Sequence, residues 1–382
     1  MGIFNKIISF FSVIFLTIQA AIPLPVLSIN FKFDVEASVF ESGDEMYTVI
    51  WTTTRPGTGY VTYTYGDREY TVYDQDGGNI RTLDTIHAVR VPKAHIDNNE
   101  FVYHSQFIRA KLAYDALKGK TISSEPVNFR GYNGESAVNA LVLSDIHGDP
   151  NPVEKAVSYF DTEPDILILA GDIVSQMVNQ QDFLDILDYA HMFSKGEIPV
   201  VYARGNHEPR GEYSPEMLKY FRTSTSGFYF TFTYGPIWSV VLDGGEDKED
   251  GHKEYSGLVD FRTYVAEETK WLSGVKPADT QYRIAVVHKP NMDDLDGSQW
   301  LGMLSDIGID ASISGHFHRL ELHFFDGSVP YHRLITGGKD DDNGGYIATM
   351  LTFADGRIKA VSYNDSGTVM ADEYLDINRK AA

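Results

Sequence analysis

Between residues 29 and 130 the chain consists of short runs in which apolar and polar residues alternate. Such period-two alternation, with turn residues between the runs, is typical of β-strands that have one buried and one exposed face. The predicted strands are residues 47–52, 60–65, 69–73, 86–91 and 101–108, with turns at 55–57 and 76–78. Their regular spacing predicts a β-sandwich, which we place at residues 28–131.

After a short linker at 130–136 the pattern changes to strands that alternate with helices. Apolar positions recur at helical spacing in a segment that begins with Asn151-Pro152 and in residues 180–194 and 263–272, and Ser214-Pro215 is typical of a helix start. Alternating strands and helices indicate an α/β domain, which we place at residues 137–366. Its acidic runs at 244–251 and 340–342 are predicted to be solvent-exposed loops.

Five apolar runs of this second domain end in residues that can bind metal ions. In chain order these residues are Asp145 and His147, then Asp172, then Asn206 with His207 and Glu208, then His288, and finally His316 and His318. Strands that end in this way deliver reactive side chains into a crevice at one edge of an α/β sheet. The order and number of these segments make a chance occurrence improbable, although each alone is a weak signal.

The residue types narrow the chemistry. Carboxylate and amide oxygens mixed with imidazoles suit zinc, manganese or iron better than calcium. The seven candidate ligands are too many for one tetrahedral site: Asp145, His147, Asp172, Asn206, His288, His316 and His318. They fit two divalent ions bridged by one carboxylate, an arrangement that activates a bridging water and stabilises the charge on phosphate oxygens.

These segments resemble the signature blocks of the calcineurin-like metallophosphoesterase superfamily over about residues 137–353. The resemblance implies a four-layer α/β/β/α metallophosphoesterase sandwich. The preceding all-β domain resembles the fibronectin type III-like amino-terminal domain of purple acid phosphatases. Those enzymes carry a tyrosine three residues after the bridging aspartate and lack a histidine at the position of His147, whereas this chain has Ser175. We therefore expect a colourless enzyme with two divalent ions.

The resemblance also implies roles for single residues. Asp172 would bridge the ions, Asp145, His147 and His318 would bind the first, and Asn206, His288 and His316 the second. A metal-bridging hydroxide would attack phosphorus, and His207 would protonate the leaving oxygen as general acid. Asn206 and Arg204 are the candidates for contact with substrate phosphate, an ion pair being the alternative for Arg204. Glu208 is expected either to orient His207 or to be a plain surface or salt-bridged residue.

Composition excludes several other classes of function. Acidic residues outnumber basic ones by 54 to 32, which gives a net charge of −22 and argues against nucleic-acid binding. Cysteine is absent, which excludes thiolate zinc sites and thiol-dependent phosphatase chemistry. The expected partner is a small phosphorylated substrate, and the sequence does not determine the oligomeric state.

The amino terminus indicates the compartment. Lys6 precedes an apolar run at 7–18, and Ala20-Ala21 follow, as in a secretory signal peptide, which we place at residues 1–21. The run is short for a membrane span, and no later segment could cross a bilayer. We expect a secreted, periplasmic or extracellular protein, with an uncleaved anchor or a buried segment as the alternatives.

The predicted function is hydrolysis of phosphate monoesters. Phosphodiester or nucleotide hydrolysis on the same fold is the first alternative. A non-catalytic surface protein that uses the fold for binding is the second.

Overall fold

The computed structural model describes residues 30–290, 299–324 and 331–377. The predicted signal peptide at 1–21 lies outside these ranges. The front region is almost entirely β, as predicted, with one short helix, α1 (Lys93–Ile96). Its strands are β1 (Ser38–Glu41), β2 (Met46–Tyr65), β3 (Arg68–Tyr73), β4 (Gln75–Asp76), β5 (Asn79–Ile80), β6 (Asp84–Pro92), β7 (Asn99–Lys111), β8 (Ala116–Ser123) and β9 (Val127–Phe129).

One predicted turn is wrong and the other is confirmed. The chain does not turn at residues 55–57, because β2 runs through this segment with a shift of register between Thr52 and Gly57. The first half of β2 pairs with β1 and β6, whereas the second half pairs with β3 and β7. An irregularity of this kind bends a strand, so β2 serves two sets of partners. Gly77 and Gly78 form the expected turn between β4 and β5.

Strands and helices alternate through the second part of the chain. The helices are α2 (Pro150–Val157), α3 (Gln180–Ser194), α4 (Leu218–Phe221), α5 (Phe261–Leu272) and α6 (Trp300–Ile307). The strands are β10 (Val138–Leu143), β11 (Ile166–Leu169), β12 (Pro199–Tyr202), β13 (Phe230–Tyr234), β14 (Ile237–Leu242), β15 (Tyr282–Val287), β16 (Ala311–Ser314), β17 (Leu320–His323), β18 (His332–Thr336), β19 (Gly338–Lys339), β20 (Tyr346–Ala354), β21 (Arg357–Asn364) and β22 (Val369–Asp376). Ser214-Pro215 lies in a 3₁₀ turn before α4 and does not start a long helix.

Two sheets form the centre of this part. The larger has the order β22, β21, β20, β10, β11, β12, β1, β2, β7 and β8, and the smaller has the order β13, β14, β15, β16, β18 and β17. Apolar side chains such as Val142 and Ile168 from the first sheet and Val286 and Ile313 from the second fill the space between them. Helices α2 and α3 cover the outer face of the larger sheet, and α5 and α6 that of the smaller. The predicted α/β/β/α order is confirmed.

The front region joins the larger sheet directly. Strand β1 pairs in parallel with β12, with Val39 opposite Pro199 and Phe40 opposite Val200. The two predicted domains therefore share a continuous sheet across the linker, which local pattern did not indicate. No helix in the described part of the chain is long and apolar enough to cross a membrane.

A buried ion pair ties the front region to the second part. Lys93 of α1 donates to Glu41 of β1 at 2.7 Å and to the Thr233 carbonyl of β13 at 3.1 Å. Glu41 is 3% exposed and Lys93 4% exposed. Burial raises the pKa of Glu41 to about 7, although the charge of Lys93 opposes that shift.

We expect Lys93→Met to lower the free energy of unfolding by about 3–5 kcal/mol at pH 8, because it leaves a buried carboxylate without its partner. Between the ordinary glutamate pKa and about pH 7, Glu41 keeps its proton in the folded protein, whereas the unfolded chain has released it. This group therefore destabilises the fold increasingly as pH rises through that range. At pH 5 the carboxyl is neutral, and the loss should be smaller. Urea unfolding at both pH values measures this.

The matched control is Lys359→Met, which removes an exposed pair with Asp372. It should change the free energy of unfolding by less than about 1 kcal/mol. An equal effect of the two substitutions, or a Lys93→Met effect that does not change with pH, would contradict the role given to the buried pair.

Candidate metal centre

The candidate ligands lie on tight turns at the carboxyl ends of the strands. Asp145 and His147 follow β10, Asp172 follows β11, and His316 and His318 follow β16. All five have a positive φ, between 50° and 76°. Residues other than glycine rarely adopt this conformation, which costs on the order of 1 kcal/mol or more each. The surrounding packing therefore holds these side chains in strained positions.

Glycines allow the turns to approach each other closely. A Cβ on Gly205 would lie 2.2 Å from the Asp172 backbone nitrogen, and one on Gly315 would lie 2.4 Å from Asp145 Oδ2. A Cβ on Gly338 would lie 2.8 Å from the Asp145 Cβ. No side chain could occupy these spaces, so the glycines bring the ligand-bearing turns together.

Asp145, His147 and His318 form the first cluster, with one ligand atom from each lying within 4.8 Å of the others. His147 Nε2 lies 3.0 Å from His318 Nε2, and His318 Nε2 lies 3.4 Å from Asp145 Oδ1. The other ring nitrogen of His318 contacts Asp341 Oδ2 at 2.8 Å, which fixes the ring with Nε2 toward the cluster. Burial lowers the pKa of His147 to about 4.

Asp172, His288 and His316 form the second cluster. His288 Nε2 lies 3.0 Å from Asp172 Oδ2, and its Nδ1 donates to the Ala170 carbonyl at 2.7 Å. Asn206 joins through its Oδ1, which lies 2.9 Å from His316 Nδ1. The seven residues predicted as ligands are thus brought together at one edge of the two sheets.

These side chains fit a divalent metal ion. His288 is 1% exposed, yet its Nε2 has no hydrogen bond of good geometry. Burial disfavours a charged ring, but the Asp172 and Asp145 carboxylates outweigh burial and raise the pKa of His288 to about 10. The carboxylates therefore favour a positive charge at this nitrogen, which either a proton or a metal ion would supply.

Glu208 has a different position from either expectation. It is fully buried, and its carboxylate accepts hydrogen bonds from the backbone nitrogens of Asp172, Ile173 and Gly205 at 2.7–3.1 Å. Both the orienting of His207 and a surface location are therefore wrong. Glu208 instead ties the loop after β12 to the turn that carries Asp172.

His207 lies between the two clusters with its ring partly exposed. Its Nδ1 donates to the Ser175 carbonyl at 2.9 Å, and its Nε2 lies 3.8 Å from Asp172 Oδ2. Its backbone nitrogen donates to Asp172 Oδ1 at 2.8 Å. The carbonyl fixes the ring so that Nε2 is the nitrogen available toward the ligands.

Arg204 forms an ion pair, which was the alternative to contact with substrate phosphate. Its Nε donates to Asp243 Oδ2 at 2.8 Å, and its Nη2 lies 2.7 Å from the same oxygen. The guanidinium also lies over the rings of Phe228 and Tyr264. Arg204 is 9% exposed, so these contacts, rather than substrate, account for its position.

The acidic runs contribute more to the site than predicted. Glu246 is 1% exposed, so the expectation of a fully solvated loop at 244–251 is wrong. Asp247 accepts from Asn206 Nδ2 at 3.1 Å and lies 3.5 Å from His316 Nε2. Asp340, predicted to be on the surface, is buried, and Asp341 binds His318. Glu246, Asp247 and Asp341 were not predicted, because an acidic loop beside a site has the same composition as a solvated one.

Comparison with known proteins gives a matching family model and solved structures with a similar fold. Residues 138–320 match the family model of the calcineurin-like phosphoesterases. The fold resembles that of PhoD, which is 10% identical with a TM-score of 0.55 over 89% of this chain and 92% of that chain. The phosphopantetheinyl hydrolase PptH of Mycobacterium tuberculosis is 17% identical with a TM-score of 0.34 over 53% of this chain and 89% of that chain. No curated protein sequence matches the chain.

Proposed function

We propose that this chain, whose residues 138–320 form a calcineurin-like phosphoesterase domain, is a two-metal hydrolase of phosphate monoesters. The observation that supports it best is the convergence of seven oxygen and imidazole ligands from five strand ends. In this proposal residues 137–366 are the catalytic domain. Residues 28–131 form a fibronectin type III-like sandwich that supports it.

In this proposal Asp145, His147 and His318 hold one divalent ion, and Asn206, His288 and His316 hold the other, with Asp172 shared. Iron, zinc and manganese all suit this mixture of ligands. Such ions, when bound, lower the pKa of a coordinated water and offset charge on the phosphate.

His207 is the proposed general acid. The Ser175 carbonyl holds the ring, which leaves Nε2 facing the ligands as the nitrogen that passes a proton to the leaving oxygen. A non-catalytic binding protein would need no proton donor at this point, so the placement of His207 favours an enzyme.

Turnover of p-nitrophenyl phosphate should exceed that of bis-(p-nitrophenyl) phosphate when both are measured on metal-loaded protein at equal concentration. A chelator should abolish both activities, because the ligand set supplies no other nucleophile activation. Faster diester turnover would favour a phosphodiesterase. Turnover of neither ester would favour the non-catalytic alternative.

We also propose that residues 1–21 direct export to a secreted, periplasmic or extracellular location. The apolar run at 7–18 and the small residues after it support this. Small phosphorylated molecules are the proposed substrates, and the net charge of −22 argues against nucleic acid.

A further inference from the structure

Arg210 lies at the edge of the candidate metal centre, where backbone hydrogen bonds and one buried carboxylate hold it. Its backbone nitrogen donates to the His207 carbonyl at 3.0 Å, and its own carbonyl accepts from Met177 at 2.7 Å. These bonds close the loop after β12 into a turn. The side chain therefore leaves the backbone at a fixed point beside the proposed general acid.

A buried carboxylate fixes the plane of this guanidinium. Nε of Arg210 donates to Glu246 Oε1 at 2.7 Å, and Nη2 donates to Glu246 Oε2 at 2.8 Å. Glu246 is 1% exposed and also accepts from the Tyr255 hydroxyl at 2.9 Å. A two-point pair with a buried partner holds an arginine in one orientation.

The remaining edge of the guanidinium faces the metal centre. Nη1 of Arg210 lies 2.8 Å from His207 Nε2, the nitrogen that also lies 3.8 Å from Asp172 Oδ2. The Arg210 side chain is 31% exposed, so a molecule from solvent can reach it. Arg204, the arginine that precedes residues 205–208, is buried and pairs with Asp243 instead. Asp247 lies 3.6 Å from Nη2 and offsets part of the Arg210 charge.

We infer that Arg210 is the residue that binds the substrate phosphoryl group and favours monoesters over diesters. This rests on the proposed function and adds a substrate-binding residue to it. On binding, the Nη1 edge would donate to a peripheral phosphoryl oxygen in place of His207 Nε2. The released nitrogen would take a proton from water and give it to the leaving oxygen. A monoester dianion carries one more negative charge than a diester anion, so it gains more from a fixed cation.

The direct test measures the dissociation constant of inorganic phosphate by calorimetry on metal-loaded protein, together with kcat/KM for p-nitrophenyl phosphate and for its bis ester. Arg210→Met should weaken phosphate binding about 10- to 100-fold, the range for a lost charged hydrogen bond. It should lower kcat/KM for the monoester by a similar factor and for the diester by clearly less. Arg210→Lys should fall between, since it keeps the charge but not the planar fork.

The control is Arg357→Met, which removes an exposed arginine whose Nε contacts Asp376 on the outer hairpin of β21 and β22. It should leave all three quantities unchanged. Because Arg210→Met leaves the Glu246 carboxylate buried and unpaired, the double variant Arg210→Met with Glu246→Gln removes both charges and should reproduce the loss of phosphate affinity in a folded protein.

Unchanged phosphate affinity in Arg210→Met or in the double variant would overturn the inference, and so would equal losses for monoester and diester. The outcome for the proposed function is separate. If the wild-type protein hydrolyses neither ester, that function fails, whereas the phosphate dissociation constants of wild type and variants still decide the role of Arg210.

Discussion

Replacing Asp172 by asparagine is expected to lower phosphoesterase activity by roughly three orders of magnitude or more, because the shared ligand of both proposed ions loses its charge. The substitution keeps the size of the side chain, and asparagine tolerates the positive φ of 52° at this position. Elemental analysis of the purified variant should show a lower metal content than wild type. Loss of activity and loss of metal should therefore occur together.

Asp355→Asn is the matched control. Asp355 has a φ of 51° in the turn between β20 and β21 and is exposed. Activity and metal content should both equal those of wild type. Full metal content and full activity in Asp172→Asn would show that Asp172 is not a ligand of the proposed centre.

His207→Ala is expected to lower kcat/KM about 10²- to 10⁴-fold, the range for loss of a general acid. The loss should be greater for an alkyl phosphate than for p-nitrophenyl phosphate, because an alkoxide leaving group needs the proton more. Metal content should not change, since His207 is proposed as an acid and not as a ligand. Parallel assays of the two substrates with elemental analysis measure all three effects.

His104→Ala, on strand β7 of the front region, removes a histidine that contacts Thr62 and Ser123 and should leave kcat/KM unchanged. An unchanged rate in His207→Ala would rule out the acid role. A fall in metal content would instead place His207 among the ligands, a position that its proximity to His147 and Asp172 allows.

The ligand-bearing turns could be predicted because each one is encoded locally. An apolar run followed by glycine and a metal-binding residue, as in the segment from Pro199 to Asn206, contains both the strand and the group at its end. The four-layer order followed from the alternation of strands and helices together with the family resemblance. The helix at 180–194 was predicted from apolar positions at helical spacing, and the structure shows that a capping box of Asn179 and Asp182 stabilises its start.

What could not be predicted depends on contacts between distant parts of the chain. The pairing of β1 with β12 joins residues about 160 positions apart, and neither strand carries a signal for the other. Glu208 follows His207 in sequence, yet its carboxylate points back to the turn of Asp172. In the sequence, Glu246 does not differ from the other residues of an acidic loop, and only the structure shows that Arg210 lies beside it. The segment at 55–57 continues strand β2 with a bend and does not form a turn, because the two halves of β2 pair with different strands.

The most direct measurement is the rate of p-nitrophenyl phosphate hydrolysis as zinc or manganese is added in steps to chelator-treated protein. The proposed centre predicts that the rate rises from background and levels off at about two ions per chain, as two ligand groups with a shared aspartate require. Hydrolysis that is equally fast before any metal is added, or absent at every ratio of metal to protein, would contradict it.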